Sequence, residues 1–407
     1  MSWDVNAVRR QFPFYANGEP PLHYLDNAAT AQMHGAVFDA MRAHDIHARS
    51  NVLRGNHRLA EAATLAYESA RASVARFLNA SAAEEIVFTS GCTAAINLVA
   101  GALAHSIQAG DEILVSVVEH HSNFLPWQRL RERGALLRAL PLDAAGRIDF
   151  TRLGAHLGSR CRLIALTHAS NVTGALSSAA DIAALVAAAK TVGARVLLDG
   201  AQRLQHGPVD VQRLGVDFYA FSGHKCFGPT GIGVLWGRRE ALAELPPFMT
   251  GGGMVGRVAI DASSWAEPPR RFEAGTPPIA QAVGLGAALE WMLALPWEQI
   301  RAHEDALLLR LLAGLAAIPG VTLFGPADAA NRLPVVALRL AAHHSHDVCQ
   351  VVDSRGVAVR GGHHCAQLPH RALGVEETVR ASLALYNDVD DVDALLAALH
   401  EAARVLA

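Results

Sequence analysis

Lys225 stands at the end of the apolar run Phe218-Tyr-Ala-Phe221, inside the turn Ser222-Gly-His-Lys225. A lysine desolvated at a buried strand end loses basicity and gains nucleophilic character, which suits it to a Schiff base with an aldehyde. Asp199 follows three apolar residues, Val196-Leu-Leu198. A carboxylate there is costly unless it is paired. A protonated pyridine nitrogen would serve as partner, and an aspartate capping the next turn is the equal alternative for this motif alone. Upstream, Thr89-Ser-Gly-Cys-Thr93 opens a helix, and helix N-termini bind phosphate, although many bind nothing. Taken jointly, Lys225, Asp199, Thr93, Ser222 and His224 offer an amine for an aldehyde, an acid for a ring nitrogen and donors for a phosphate. That set describes pyridoxal 5'-phosphate.

A second group of reactive residues is Arg360-Gly-Gly-His-His-Cys365-Ala366. Positive neighbours favour the thiolate of a cysteine, so Cys365 is a candidate nucleophile. A His/Cys metal site extended by His343, His344 and His346 is the rival, weakened because adjacent ligands rarely converge on one ion. His120 and His121 in Glu119-His-His-Ser-Asn123 suggest either metal ligation or ring stacking. Arg380 suits bidentate grip on a substrate carboxylate. The remaining cysteines, Cys92, Cys161, Cys226 and Cys349, form no C-x-x-C pair. Cys161, Cys226 and Cys349 read as packing residues.

The elements that position these groups alternate. Strands are expected at 86–88, 113–116, 163–166, 196–198, 218–221 and 232–236. Helices are expected at 58–78, 93–104 and 179–190. Short continuous apolar runs indicate a mainly parallel sheet covered on both faces, with ligands at the C-terminal strand ends. A Leu-rich helix at about 296–320 leads to strands at 321–323, 335–340 and 357–359 and to a helix from about 389. The fold class is therefore α/β, with a large cofactor-binding domain over 22–290. A smaller α+β domain comprises 1–21 plus 291–407 and carries the Cys365 loop. Residues 1–20 read as a short helix and a turn at Gly18-Glu-Pro-Pro21, and residues 24–30 as a short strand and a loop of small residues.

The 407 residues are 51% hydrophobic and 18% charged, with a formal net charge of −3. This excludes a disordered chain and advertises neither nucleic acid nor an anionic membrane as partner. The odd, scattered cysteines fit a reducing compartment, and a cytoplasmic enzyme is expected. No apolar run approaches the roughly 20 residues of a membrane span.

Over nearly its full length the sequence resembles the cysteine desulfurases of the class V aminotransferase group, which have fold type I of the pyridoxal phosphate enzymes. Within them it is similar to the SufS/CsdA type, which includes selenocysteine lyases. The motifs that carry the resemblance are Leu25-Asp-Asn-Ala-Ala-Thr30, Glu119-His-His121, Asp199-Gly-Ala-Gln202, Ser222-Gly-His-Lys225, Arg271-Phe-Glu-Ala-Gly-Thr276 and Arg360-Gly-Gly-His-His-Cys-Ala366. It implies that Lys225 holds the cofactor aldehyde, Asp199 pairs with the pyridine nitrogen, His120 stacks on the ring and Gln202 bonds its hydroxyl. It further implies that Thr93, Ser222 and His224 hold the phosphate, with Thr276 supplied by the second subunit of a homodimer. Asn171 and Arg380 would hold the substrate carboxylate, with Asn27, Ala28 and His57 nearby. Cys365, beside Arg360, would attack the sulfur of L-cysteine to give a persulfide and alanine and pass the sulfur to a SufE/CsdE-like acceptor protein, with selenocysteine lyase, acting on L-selenocysteine, or another β-lyase of the family as the alternative. No metal is implied. One departure stands out: Gly91-Cys92-Thr93-Ala94 replaces the usual Gly-Thr-Thr-Glu. Loss of a hydroxyl at 92 is expected to loosen the phosphate grip by about 1 kcal/mol, and loss of the acid at 94 removes a possible dimer contact.

Overall fold

The computed structural model describes residues 3–16 and 22–406, so the turn expected at 18–21 lies outside the described residues. Seven strands form the large sheet: β1 (Ile86–Thr89), β2 (Glu112–Ser116), β3 (Leu136–Leu140), β4 (Cys161–Thr167), β5 (Arg195–Asp199), β6 (Phe218–Ser222) and β7 (Gly233–Gly237). Their order is β1-β7-β6-β5-β4-β2-β3, and only β7 runs against the others. Helices on both faces bury Ile113, Leu163, Leu197 and Phe218 toward one side and Leu114, Ile164, Leu198 and Tyr219 toward the other. This two-sided burial explains the unbroken apolar runs.

The strand β3 was not expected. It lies at the sheet edge, pairs only with β2, and its side chains alternate between exposed and sheltered around Arg138. An edge strand needs no continuous apolar run, so its sequence carries a weaker signal.

The helices start and stop where local chemistry allows. Helix Arg58–Leu78 is capped by His57, whose Nδ1 accepts from the Ala60 amide, and it ends at Asn79 in left-handed backbone (φ 50°). Ser178 and Asp181 form a capping box on helix Ala179–Val192. Asp388 and Asp391 do the same for helix Val389–Val405.

A second, antiparallel sheet comprises β8 (Val321–Phe324), β9 (Val335–Leu340), β10 (Arg360–Gly362) and β11 (Thr378–Ser382), in the order β8-β9-β11-β10. Its own core joins Val336, Leu338 and Val379 to Leu308, Leu311 and Leu315 of helix Trp297–Ala316 and to Leu395 and Leu399 of the last helix. The strand expected at 357–359 ends at Ala358, and β10 follows it. Val357–Ala358 pairs parallel with His23–Tyr24, while β10 pairs with β11. Phe12 packs edge-on against Phe227, Trp291 and Tyr386, which ties the N-terminal segment to the loop after Lys225 and to the C-terminal part of the chain. No single helix among the described residues is long and apolar enough to cross a bilayer.

Candidate active site

Five strand ends of the large sheet open into one cavity. Residues following β1, β2, β4, β5 and β6 supply Thr93, His120, Asn171, Asp199, Gln202, Ser222, His224 and Lys225. The 28–29 turn adds Ala28, and the smaller sheet adds Arg360, Arg380 and, from the loop after β10, Cys365. Twelve of the fifteen expected site residues therefore meet in one place.

Asp199 forms the floor. It is 4% exposed, and its Oδ1 accepts from the Ala201 amide at 2.9 Å and from the Cys92 thiol at 3.3 Å. Among the described residues no hydrogen bond falls on Oδ2. Burial pushes its carboxyl up, offset in part by the Ala201 amide and the Lys225 charge. Lys225 is displaced in the opposite sense, because burial lowers its basicity more than Asp199 restores it. Gly200 lets the floor lie close to the ring below: a Cβ there would stand 2.1 Å from Tyr219 Cε1.

One end of the cavity is lined with hydroxyls and amides. Helix Cys92–Leu103 begins there, and Ser222 Oγ accepts from the Cys92 amide at 2.8 Å. Thr93 Oγ1 lies 2.7 Å from Ser122 Oγ. Gly233 lets β7 and this turn touch, since a Cβ there would lie 2.4 Å from Gly91 Cα. His224 leans on Thr30 Oγ1 at 3.2 Å, and burial, then Lys225, lowers its pKa to about 4.

His120 forms a wall. Its Nδ1 accepts from the Ser122 amide at 3.1 Å, which leaves the proton on Nε2. Burial, then the Lys225 charge, lowers its pKa to about 3, so the ring is neutral. Beneath it, buried Glu119 is held by Ser116 Oγ at 2.5 Å, Asn123 Nδ2 at 2.6 Å and the Thr167 amide at 3.0 Å.

The opposite end is cationic. The β10–β11 register sets Arg360 opposite Arg380. Arg380, 1% exposed, gives Nη1 to Asn171 O at 3.0 Å and Nη2 to Asp26 at 2.9 Å, while its buried Nε–H has no partner. Asn171 Nδ2 in turn donates to His364 O at 2.8 Å. The Cys365 loop is pinned by the His121 amide, which donates to Cys365 O at 2.8 Å. His364 and Cys365 both hold left-handed backbone, φ 52° and 54°.

Against solved structures, the fold aligns with the Escherichia coli cysteine desulfurase CsdA in its S-sulfonic acid form, at TM-score 0.91 and 38% identity over all of both chains. It also aligns with the apo cysteine desulfurase of Thermococcus onnurineus NA1, at TM-score 0.93 and 37% identity over 100% of this chain and 99% of that one. In sequence it is 46% identical to a cysteine desulfurase of Dickeya dadantii, covering 99% of this chain and 98% of that protein. A Salmonella gallinarum cysteine desulfurase is 45% identical over the full length of both. The aminotransferase class-V model matches residues 23–395.

The chain belongs to the class-V aminotransferase family. Members of this family depend on pyridoxal phosphate, and the cavity suits that group: a buried amine of lowered basicity, a carboxylate with a free oxygen, and a hydroxyl-lined helix N-terminus.

Three expected residues lie elsewhere in this class-V aminotransferase. Asn27 is fully buried, but its side chain is taken by Ser382 O at 2.7 Å, Asn387 Oδ1 and the Tyr386 hydroxyl. Only its neighbour Ala28 reaches the cavity, where Ala28 O accepts from Gln202 Nε2 at 2.9 Å. His57 is an exposed helix cap. Thr276 lines a separate cavity with Leu53, Arg54, Gly253 and Arg270. Glu273 anchors its loop by accepting from Arg71 at 2.7 and 2.9 Å and from the Phe88 amide at 2.7 Å.

The expected weakening at Cys92 assumed a side chain facing the phosphate-binding end. The thiol instead turns to the floor and donates to Asp199, and the Cys92 amide is already given to Ser222. Cys161 and Cys226 are buried in the core, as expected, and Cys349 is half-buried against the small-sheet core. Ser122 and His364 line the cavity although neither was singled out. Ser122 was detectable as a hydroxyl two residues past His120, whereas His364 depends on loop geometry that spacing does not encode.

Proposed function

We infer that this protein is a pyridoxal-phosphate-dependent cysteine desulfurase, converting L-cysteine to L-alanine and taking the sulfur onto Cys365. The observation that carries this reading is that Cys365 shares one cavity with Lys225 and Asp199. A transaminase needs no thiol there, whereas sulfur removal needs a nucleophile able to reach the substrate Cβ substituent.

When bound, the cofactor supplies an electron sink conjugated with the substrate Cα. Lys225 Nζ holds its aldehyde carbon and moves the proton at Cα. Asp199 Oδ2 keeps the ring nitrogen protonated, and the Cys92 and Ala201 donors keep Oδ1 turned away from it. The neutral His120 ring would pack against the cofactor ring, and Gln202 would bond its hydroxyl. Thr93, Ser222 and His224 grip the phosphate, and Thr276 reaches it from a second copy of the chain, in keeping with its position outside the cavity of its own copy. At the cationic end, Arg380 meets the substrate carboxylate together with Asn171, with Ala28 in the turn beside them, while Asn27 and His57 stand outside this cavity. Arg360 lines the same end of the cavity as Cys365.

The same reading divides the chain into a cofactor-binding domain, 22–290, and a smaller domain, 1–21 plus 291–407. The two sheets and the separate Leu-rich core support it. It places the enzyme in the cytoplasm as a homodimer, handing sulfur to a SufE/CsdE-like acceptor for iron–sulfur cluster or other sulfur biosynthesis. Cofactor-loaded protein supplied with L-cysteine should form alanine and acquire 32 Da on Cys365, a mass gain set by one sulfur atom. Alanine formation that persists undiminished in Cys365→Ala, with no sulfur on the wild-type residue, would sink the reading.

A further inference from the structure

Asn171 sits in a turn that is held from outside the large sheet. Ala169 and Leu176 bridge antiparallel across the turn, and Ala175 bridges antiparallel to Arg332, just before β9. The Leu333 amide donates to Gly174 O at 2.8 Å, and the Leu176 amide donates to Asn331 O at 2.9 Å. The two segments interlock. A Cβ on Gly174 (φ 72°) would stand 2.6 Å from Val335 O and 2.7 Å from Leu333 O, and one on Gly325 (φ 101°) would stand 2.7 Å from Thr173 O.

Arg332 closes the loop between β8 and β9 that makes this contact. It is 1% exposed, and its guanidinium donates to Phe324 O at 3.3 Å, to Val335 O at 3.1 and 3.3 Å, and to Pro326 O. All of these acceptors are backbone carbonyls. Burial lowers its pKa to about 10, so the group stays cationic near neutral pH. A buried cation is costly unless its donors are used, and a planar fork can serve three carbonyls where a point charge cannot. The bonds continue into the cavity. Asn171 O accepts from Arg380 Nη1 at 3.0 Å, and Arg380 stands opposite Ala337 of β9. Asn171 and Arg380 are thus both referenced to β9, one through the Arg332 loop and the other through the β9–β11 ladder.

We propose that Arg332 is a positioning residue that keeps the Asn171 turn in register with Arg380, and so sets the fit of that pair to the substrate carboxylate. The proposal rests on the carboxylate role given to Asn171 and Arg380 above. It adds a residue that acts through them without touching substrate. A misplacement of about 1 Å in a substrate-holding group can cost up to about a hundredfold.

The test compares cofactor-loaded wild type, Arg332→Lys and Gly174→Ala. Arg332→Lys keeps the charge and loses the fork. Gly174→Ala presses on the same contact from the turn side, and decides alone if Arg332→Lys does not fold. In each, KM for L-cysteine should rise about tenfold, the factor of one hydrogen bond to a charged group, with kcat within about twofold of wild type. The Kd of L-alanine, read from cofactor absorbance, should rise by the same factor, and amide exchange across residues 168–177 should quicken. Cofactor retained on dialysis should match wild type. Unchanged KM and L-alanine affinity in a folded variant, or a loss confined to kcat or to cofactor retention, would overturn the proposal alone. Failure of both variants to fold would assign the contact to folding and overturn it too. Unchanged KM in Asn171→Ala and Arg380→Lys as well would overturn the carboxylate reading and the proposal with it.

Discussion

The Cys92 thiol donates to Asp199 Oδ1 across 3.3 Å, and both side chains are at most 5% exposed. Together with the Ala201 amide it ties one oxygen of the carboxylate to the protein and leaves the other without a hydrogen bond among the described residues. Cys92→Ala leaves Asp199 with a single donor. It should cost about 1 kcal/mol, a typical net hydrogen bond, visible as a lower melting temperature and as faster cofactor loss on dialysis. Cys92→Ser should keep most of both. Equal retention of cofactor by all three proteins would show that the contact does not orient Asp199.

Lys225 is the amine that should bind the cofactor covalently. Borohydride reduction followed by peptide mass spectrometry should put the cofactor mass on Lys225 in the wild type. In Lys225→Ala no peptide should carry it, and alanine formation should fall by at least about a thousandfold, as expected when a covalent and proton-transfer group is removed.

Cys365→Ala should retain the bound cofactor, because Cys365 holds none of the residues at the floor or the phosphate end. Persulfide on the protein should vanish, with desulfuration reduced at least about a hundredfold. Cofactor lost together with activity would instead make Cys365 structural.

Arg380→Lys replaces a planar fork with a point charge and strands Asp26 and Asn171 O. The loss of charge-assisted bonds, about 1.5–3 kcal/mol, should lower kcat/KM for L-cysteine by roughly 10- to 150-fold. A carboxylate role predicts that most of this falls on KM, while a change confined to kcat would contradict it.

Acid should destabilise the cofactor-free protein through its buried histidines. Burial lowers His34 to about 4, His168 to about 3 and His364 to about 2, from 6.5. Between pH 6.5 and about 4 the unfolded chain binds protons at these rings that the folded chain refuses. Stability is therefore full above pH 6.5 and falls as pH falls, by up to about 2 kcal/mol per ring at pH 5. Melting temperatures measured from pH 7.5 to 5 should decline, and replacing His168 with a neutral residue should flatten the slope. A slope unchanged in that variant would assign the acid sensitivity to other groups.

The parts of the site that could be read beforehand are those set by a strand and the few residues after it. Lys225, Asp199, His120, Ser222 and Thr93 follow apolar runs directly, so their burial and convergence are consequences of sheet topology. Asn27 escaped this logic because its side chain is directed by Ser382 and Asn387, more than 350 residues away. The direction of the Cys92 thiol is set by how the helix N-terminus sits over Asp199, which a motif does not record. Edge strand β3 escaped because one-sided pairing leaves no continuous apolar signature. His364 reaches the cavity lining through the left-handed backbone of its loop, which the motif does not record.

Asp26 and Arg380 are 354 residues apart in sequence and 2.9 Å apart in space. A nascent chain still lacking its last thirty or so residues already carries every strand of the large sheet, with Lys225 and Asp199 at strand ends. It cannot complete the cationic end of the cavity, because β11, which carries Arg380, has yet to arrive. Contacts of such span form late and slowly. A chain interrupted before β11 would therefore carry the buried lysine of the large sheet without the arginine that lines the opposite end of the same cavity.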